Sequence, residues 1–315
     1  MAKKKDNDPG YNYNKFNQIS PTANVFLTIF MIILAVIVLY PVLLMIAISF
    51  SDQNAVSVEK GYTLIPAKFS LKAYQGVFNY GIALWESYLV TILRTICYTV
   101  IALVVMSLYA YVLAQRNFNF HGFYTYYLFF TMIFSAGMVP CYIINTKYLH
   151  LLDTVWILIL PGICTGSWVI MMRTFMKTTI PEALFESARI DGASNFTIYA
   201  RIVIPLFKPA LATIGLFCVV ARWNEWFTAI LYIQEKKWLT PLATMLQRIQ
   251  NEIAFLKEMI RKGAVDPAYY KALNDMPTET FRMAMTVIAT IPIMFAYPFF
   301  QQYFIEGLTI GSVKE

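Results

Sequence analysis

Residues 171–211 read MMRTFMKTTIPEALFESARIDGASNFTIYARIVIPLFKPAL, a long polar interval trapped between strongly apolar runs. Its first half predicts a short helix. Pro181 sits where a missing N–H costs little, Glu182 and Glu186 lie in the opening turns, and Ala183, Leu184, Ala188 and Ile190 supply an apolar face. Gly192 stops that helix. Residues 195–204 can start a second one, which Pro205 and Pro209 separate from the next apolar run. The expected product is a helix, a glycine turn and a helix, held outside the lipid between two membrane helices. An amphipathic interfacial linker would have the same composition, so the pattern alone leaves both readings open.

The rest of the chain supplies the membrane. Apolar residues make up 58% of it and charged residues 14%, with a mean hydropathy of +0.56. A water-soluble domain carries about 25% charged residues, so this is a membrane protein, and the long apolar runs that follow make the expected fold class all-α. Val25 to Phe50 is uncharged and, at ~1.5 Å per residue, reaches about 39 Å, more than a ~30 Å hydrocarbon core requires. Further spans are expected at Tyr88 to Ala114, Phe123 to Ile144, Thr154 to Met172, Leu211 to Ile233 and Met283 to Phe304. Arg94, near the start of the second, is expected to reach the headgroup level. Pro161, Gly162 and Gly166 in the fourth predict a bent or partly unwound helix packed on protein. Short interfacial and amphipathic helices are expected over Leu71 to Phe78 and Leu242 to Ile260.

Six spans put both termini on one side. Lys3, Lys4, Lys5, Lys15, Arg116, Arg173 and Lys177 flank that side, which the short-flank bias makes cytoplasmic, together with residues 173–210. The connections 51–86 and 234–280 then lie outside.

No catalytic constellation is present in the sequence. There is no G-x-x-x-x-G-K-[ST] loop, so the chain does not hold ATP in that way. Cys97, Cys141, Cys164 and Cys218 lack metal-ligand spacing and read as buried packing residues; His121 and His150 are too far apart to form a recognisable metal cluster. The net charge of +7 is not gathered into a basic face beyond Lys3 to Lys5, which argues against nucleic acid.

Within the fifth span, Arg222, Trp223, Asn224, Glu225 and Trp226 would be costly against lipid and should face protein or water. Trp223 and Trp226, three apart on a helix, with Asn224 and Glu225, suit the apolar face and hydroxyl rim of a sugar. Packing of the tryptophans on a companion subunit, with Arg222 paired to Glu225, is the alternative. Tyr297, with Pro292 and Pro298 in the sixth span, is a further candidate for the passage.

The spaced set Glu186, Ser187, Ala188, Gly192, Ile202, Val203, Ile204 and Pro205 resembles the cytoplasmic coupling loop of permease subunits of ATP-binding-cassette importers, which opens Glu-Ala-Ala. Ser187 and Ile204 are conservative departures from that pattern. Arg173, Phe175, Ile180, Pro181 and the run ARIDGAS (188–194) resemble the carbohydrate-importing members, as do Trp223 with Asn224 and the tail residues Gly307, Leu308, Thr309, Gly311 and Lys314.

The resemblance runs from Val25 onward and implies a type I importer permease fold. That fold has six transmembrane helices and a cytoplasmic coupling helix. Residues 1–22 would be a cytoplasmic tail, 23–304 the permease domain and 305–315 a second cytoplasmic tail. It implies that Glu186, Ser187, Ala188, Asp191, Gly192, Ala193 and Pro205 serve coupling to an ATPase. The implied partners are a homologous second permease, two nucleotide-binding subunits that carry ATP and magnesium, and an extracellular substrate-binding protein. A multi-pass protein of the plasma or inner membrane, with no cofactor of its own, would then take up a carbohydrate, expected to be an oligosaccharide. A permease for a non-sugar solute, an ion-coupled secondary transporter and a structural or signalling membrane protein are the competing classes.

Overall fold

A computed structural model describes residues 20–56, 61–66, 68–115, 118–262 and 278–312. The first helix, α1 (Pro21–Ser49), begins on a cap, where the Ser20 hydroxyl accepts from the Ala23 amide at 3.2 Å and Pro21 fills the first turn. It is apolar all round and packs along the last helix, α13 (Thr278–Ser312), with Ala47, Ile48 and Ser49 at its C-terminal end as its buried residues. A short α2 (Lys72–Phe78) follows, as the sequence predicts.

The centre of the fold is α3 (Ile82–Ala114), 33 residues without interruption. It packs on α7 (Gly166–Thr179) on one side and α10 (Lys208–Asn224) on the other. Its buried stripe includes Ser87, Thr91, Arg94, Thr95, Tyr98 and Ser107, a polar set that lipid would not tolerate and that identifies the protein-facing side. Around it Met106, Met172, Ile198, Val203, Phe207 and Cys218 form the main core.

The other apolar segments are broken. α4 (His121–Ile133) and α5 (Met138–Ile143, running on as a π turn through Tyr148) meet at 109°, across Phe134 to Gly137, where Gly137 has φ 83°. The third span is therefore a bent pair and not the single helix expected from its hydropathy. α6 (Val155–Ile159) and α7 are separated at Pro161 and Gly162 (φ 77°), the unwinding that the sequence predicts. By length and composition α1 and α3 each suffice to cross a bilayer, and up to four crossings result if each sharply bent pair counts as one.

The expected fifth span, 211–233, is corrected at both ends. α10 starts at Lys208, after a 79° bend from residues 195–206, and stops at Asn224; α11 (Phe227–Tyr232) is a separate piece. Beyond it, α12 (Leu242–Arg261) matches the amphipathic helix expected there and buries Leu242, Met245 and Ile249 against α3 and α13. The Gln53 side-chain carbonyl accepts from the amides of Glu279 and Thr280, each at 3.1 Å, and so caps α13 from a distant part of the chain. Among the described residues there is no β-sheet, only an isolated bridge between Ser51 and Phe69.

Candidate functional site

The polar interval folds as its local signals dictate. Pro181 precedes α8 (Glu182–Ile190), with Glu182 in its first turn and Arg189 in its last, both favourable to the helix dipole. The end is a Schellman motif: the Gly192 amide donates to the Arg189 carbonyl at 3.0 Å and the Ala193 amide to the Ala188 carbonyl at 2.9 Å. Gly192 has φ 78°, the left-handed conformation that this motif needs. A Cβ there would meet nothing within 4 Å among the described residues, so none of them occupies the space beside it. Ser194 then caps α9 (Asn195–Ile198), which passes through a π turn at Tyr199–Val203 into α10.

Of the apolar face that the helical pattern suggests, Ala183, Leu184 and Ile190 are exposed and Ala188 is not. Ala188 is buried in the chain's own main core, the cluster that also holds Ile198 and Tyr199, and so does not face outward. Ile190 (86% exposed) and Phe196 (71%) project furthest, with Leu184 less exposed beside them in sequence. Glu186, Ser187, Asp191 and Gly192 are exposed around them, Ala193 is half-buried, and Pro205 lies in the last short turn before α10. The knob is gripped by α3: Ser107 and Tyr199 share a hydroxyl hydrogen bond of 2.7 Å, Tyr111 donates to the Asn195 carbonyl at 3.2 Å, and Arg189 donates to the Gln115 side chain.

A second concentration of polar groups sits at the break between α10 and α11. Arg94 does not reach the headgroups, because α3 starts twelve residues earlier than Arg94 and buries it to 2% exposure. Its guanidinium donates to the Arg222 carbonyl at 3.0 Å and the Glu225 carbonyl at 2.6 Å, groups left without helical partners where α10 ends, and pairs with the Glu225 carboxylate at 3.3 Å. Arg222 lies 3.9 Å from the same carboxylate, donates to the Pro161 carbonyl at 2.6 Å and stacks over the Tyr98 ring at 3.8 Å. Tyr98 donates to the Gly162 carbonyl at 2.7 Å, so the breaks in both spans are tied to α3. Two guanidiniums and one carboxylate leave an excess positive charge, offset by the carbonyl end of α10 and the aromatic face.

Glu225, expected to line a sugar passage, is thus occupied on both oxygens, since its other oxygen accepts from the Thr228 amide at 2.7 Å and caps α11. The break also means that Trp223 and Trp226 share no helical face. Trp223 is buried, its indole donating to the Ala289 carbonyl at 3.1 Å, whereas Trp226 is exposed and packs edge-on against Phe227. Asn224, with Trp223, Thr286 and Thr290, lines a cavity of about 320 Å³ between α10, α12 and α13. The Tyr297 side chain lies outside the described residues. Cys218 is buried as expected, but Cys97, Cys141 and Cys164 are exposed on this chain.

Asp153 was not singled out by sequence reasoning. Held at φ 52°, its carboxylate accepts from the amides of Gln234, Glu235 and Lys236 at 2.8, 3.0 and 3.2 Å, fastening the 234–239 turn. Burial would raise this carboxyl, but the three amides and the Lys236 charge together hold it below its ordinary value. A lowered folded value means that the anchor is fully present above the unfolded value of about 3.9 and is lost as pH falls through the folded one. Amide exchange at 234–236 should stay slow at pH 5 and quicken only below about pH 4. Quickening between pH 7 and 5 would contradict the anchor.

Comparison with known proteins points one way. Residues 112–309 match the family described as "Binding-protein-dependent transport system inner membrane component". Similarity of 38% identity over 287 residues, 90% of this chain and 96% of the other, is found with "Polygalacturonan/rhamnogalacturonan transport system permease protein YtcP" of Bacillus subtilis. "Arabinooligosaccharides transport system permease protein AraQ" of Halalkalibacterium halodurans is 27% identical, across 94% of this chain and 98% of that one. The fold superposes with a TM-score of 0.71 and 29% identity on a chain of a "bacterial ABC transporter involved in the import of the acidic polysaccharide alginate", covering 91% of this chain and 99% of that chain.

Proposed function

This chain belongs to the binding-protein-dependent transport system inner membrane component family, and from that premise we propose that it forms half of the translocation pathway for ATP-driven uptake of an oligosaccharide. The observation that carries the coupling role is the knob itself: a Schellman-terminated helix joined to two broken spans, presenting Ile190 and Phe196 outward with Glu186 and Asp191 beside them. Isolated apolar groups ringed by charge suit a groove on another protein, the charges setting register.

In this reading the chain crosses the membrane six times. Residues 1–22 and 305–315 are cytoplasmic tails, and the permease domain of residues 23–304 includes the cytoplasmic 173–210 loop. Two ATPase subunits hold ATP and magnesium and grip the knob through Glu186, Ser187, Asp191, Gly192 and Ala193, with Ala188 and Pro205 setting its shape from behind. A second, homologous permease completes the pore, and an external binding protein delivers substrate to the side of the 51–86 and 234–280 connections. Sugar oligomers and polymers are what the similar transport proteins are named for, the acidic polysaccharide alginate among them.

Purified complex in liposomes should take up labelled oligosaccharide only with ATP on the ATPase side and binding protein on the other, tested with galacturonate, alginate, arabinan and maltodextrin fragments. Uptake of all four without ATP would overturn the reading. Asn224→Ala should raise the half-saturating substrate concentration about tenfold, the loss of one or two hydrogen bonds of ~1 kcal/mol, while leaving assembly intact. Altered assembly with unchanged affinity would show that Asn224 packs and does not line the passage.

A further inference from the structure

Two covalent routes lead from the knob into the membrane, and both are interrupted. Toward the N-terminus, α7 ends at Thr179 and its span is cut again at Pro161 and Gly162; toward the C-terminus, a 79° bend separates α9 from α10, which is cut at Glu225. α3 runs beside both without a break. Its inner end holds the knob through Ser107 and Tyr111, and Arg94, about 26 Å away at ~1.5 Å per residue, holds the break in the fifth span.

We infer that α3 is the rod that carries movement of the knob to the broken spans, and that Ser107 and Tyr111 are the positioning residues of this coupling. The inference rests on the permease reading above. A close-packed helix passes a push along its length, whereas unwound segments absorb it by changing φ and ψ. The grip is made for that purpose: a buried 2.7 Å hydroxyl pair between Ser107 and Tyr199, and the Tyr111 ring lying between Phe185 of one arm and Tyr199 of the other, 6.4 and 5.4 Å from their centroids.

The test uses the whole complex in liposomes with its binding protein and a transported oligosaccharide. Tyr111→Leu should lower substrate transported per ATP hydrolysed at least fivefold, with complex recovered at normal subunit ratio. The paired change Ser107→Ala and Tyr199→Phe keeps the packing and leaves no unpaired hydroxyl. It should lower the same ratio at least twofold, and it decides the matter if the Tyr111 variant fails to assemble. A ratio equal to wild type in the assembled paired variant would overturn the inference, because a merely structural grip changes yield and leaves the ratio alone. Independently, spin labels at Ala200→Cys and Val112→Cys should keep one distance distribution between the resting and ATP-trapped complex. A shift wider than that distribution would show the knob moving on the rod and overturn the inference. ATP-independent uptake by the unmodified complex would instead remove the permease reading.

Discussion

Glu225→Ala is expected to abolish transport and to destabilise the protein by about 3 kcal/mol, the lower end of the ~3–5 kcal/mol lost when one partner of a buried ion pair is removed. The reason is geometric. The carboxylate pairs with Arg94 at 3.3 Å and lies 3.9 Å from Arg222, and the Arg94 side chain is only 1% exposed. Removing it leaves two like charges facing each other with nothing between them, and it also strips the cap from α11. The 24% exposure of the Glu225 side chain keeps the cost at the low end, because water partly replaces the lost partner. Glu225→Gln keeps the cap and the shape and should cost about half as much. The apparent melting temperature of the detergent-purified protein, with uptake measured on the same samples, checks both. An unchanged melting temperature and normal uptake in Glu225→Ala would refute the lock.

Gly192→Val is expected to abolish coupled uptake while the protein still inserts. At φ 78° a β-branched residue is strained by ~1–2 kcal/mol, and α8, only nine residues long, has little to hold its end in place. The chain then leaves α8 in the wrong direction and Ile190 and Phe196 move apart. Gly192→Asn separates two causes. Asparagine tolerates the left-handed region, so if backbone strain is the whole effect this variant keeps most of the uptake. Because none of the described residues lies within 4 Å of a Cβ at this position, loss of uptake in Gly192→Asn would point to a partner against that face. Normal uptake in Gly192→Val would contradict both accounts.

These two sites also show what the sequence makes legible. The knob is local: Pro181, Gly192 and Ser194 are start and stop signals read within a few residues, and α8, its glycine end and the cap on α9 all follow from them. The unwound fourth span is legible for the same reason, through Pro161 and Gly162. The break at Glu225 is not, since no glycine or proline marks it. The helix ends there because Arg94, 131 residues earlier, takes the carbonyls of Arg222 and Glu225, and local pattern carries no trace of a partner that distant. Arg94 was visible as a lone charge in an apolar run, but whether such a charge snorkels or is buried depends on where the helix begins. The inward turn of Ala188 is hidden on the same ground: helical periodicity groups it with Ala183, Leu184 and Ile190, and only its place in the core of the folded chain separates it from them.

The direct measurement is capture at the knob. Ile190→Cys, with the native cysteines replaced, should crosslink through a short bismaleimide to a cysteine in the ATP-binding subunit of the assembled complex. Impermeant thiol reagents should reach it in inside-out vesicles and not in right-side-out ones. Labelling from the outer face alone, with no crosslink to that subunit, would contradict the account.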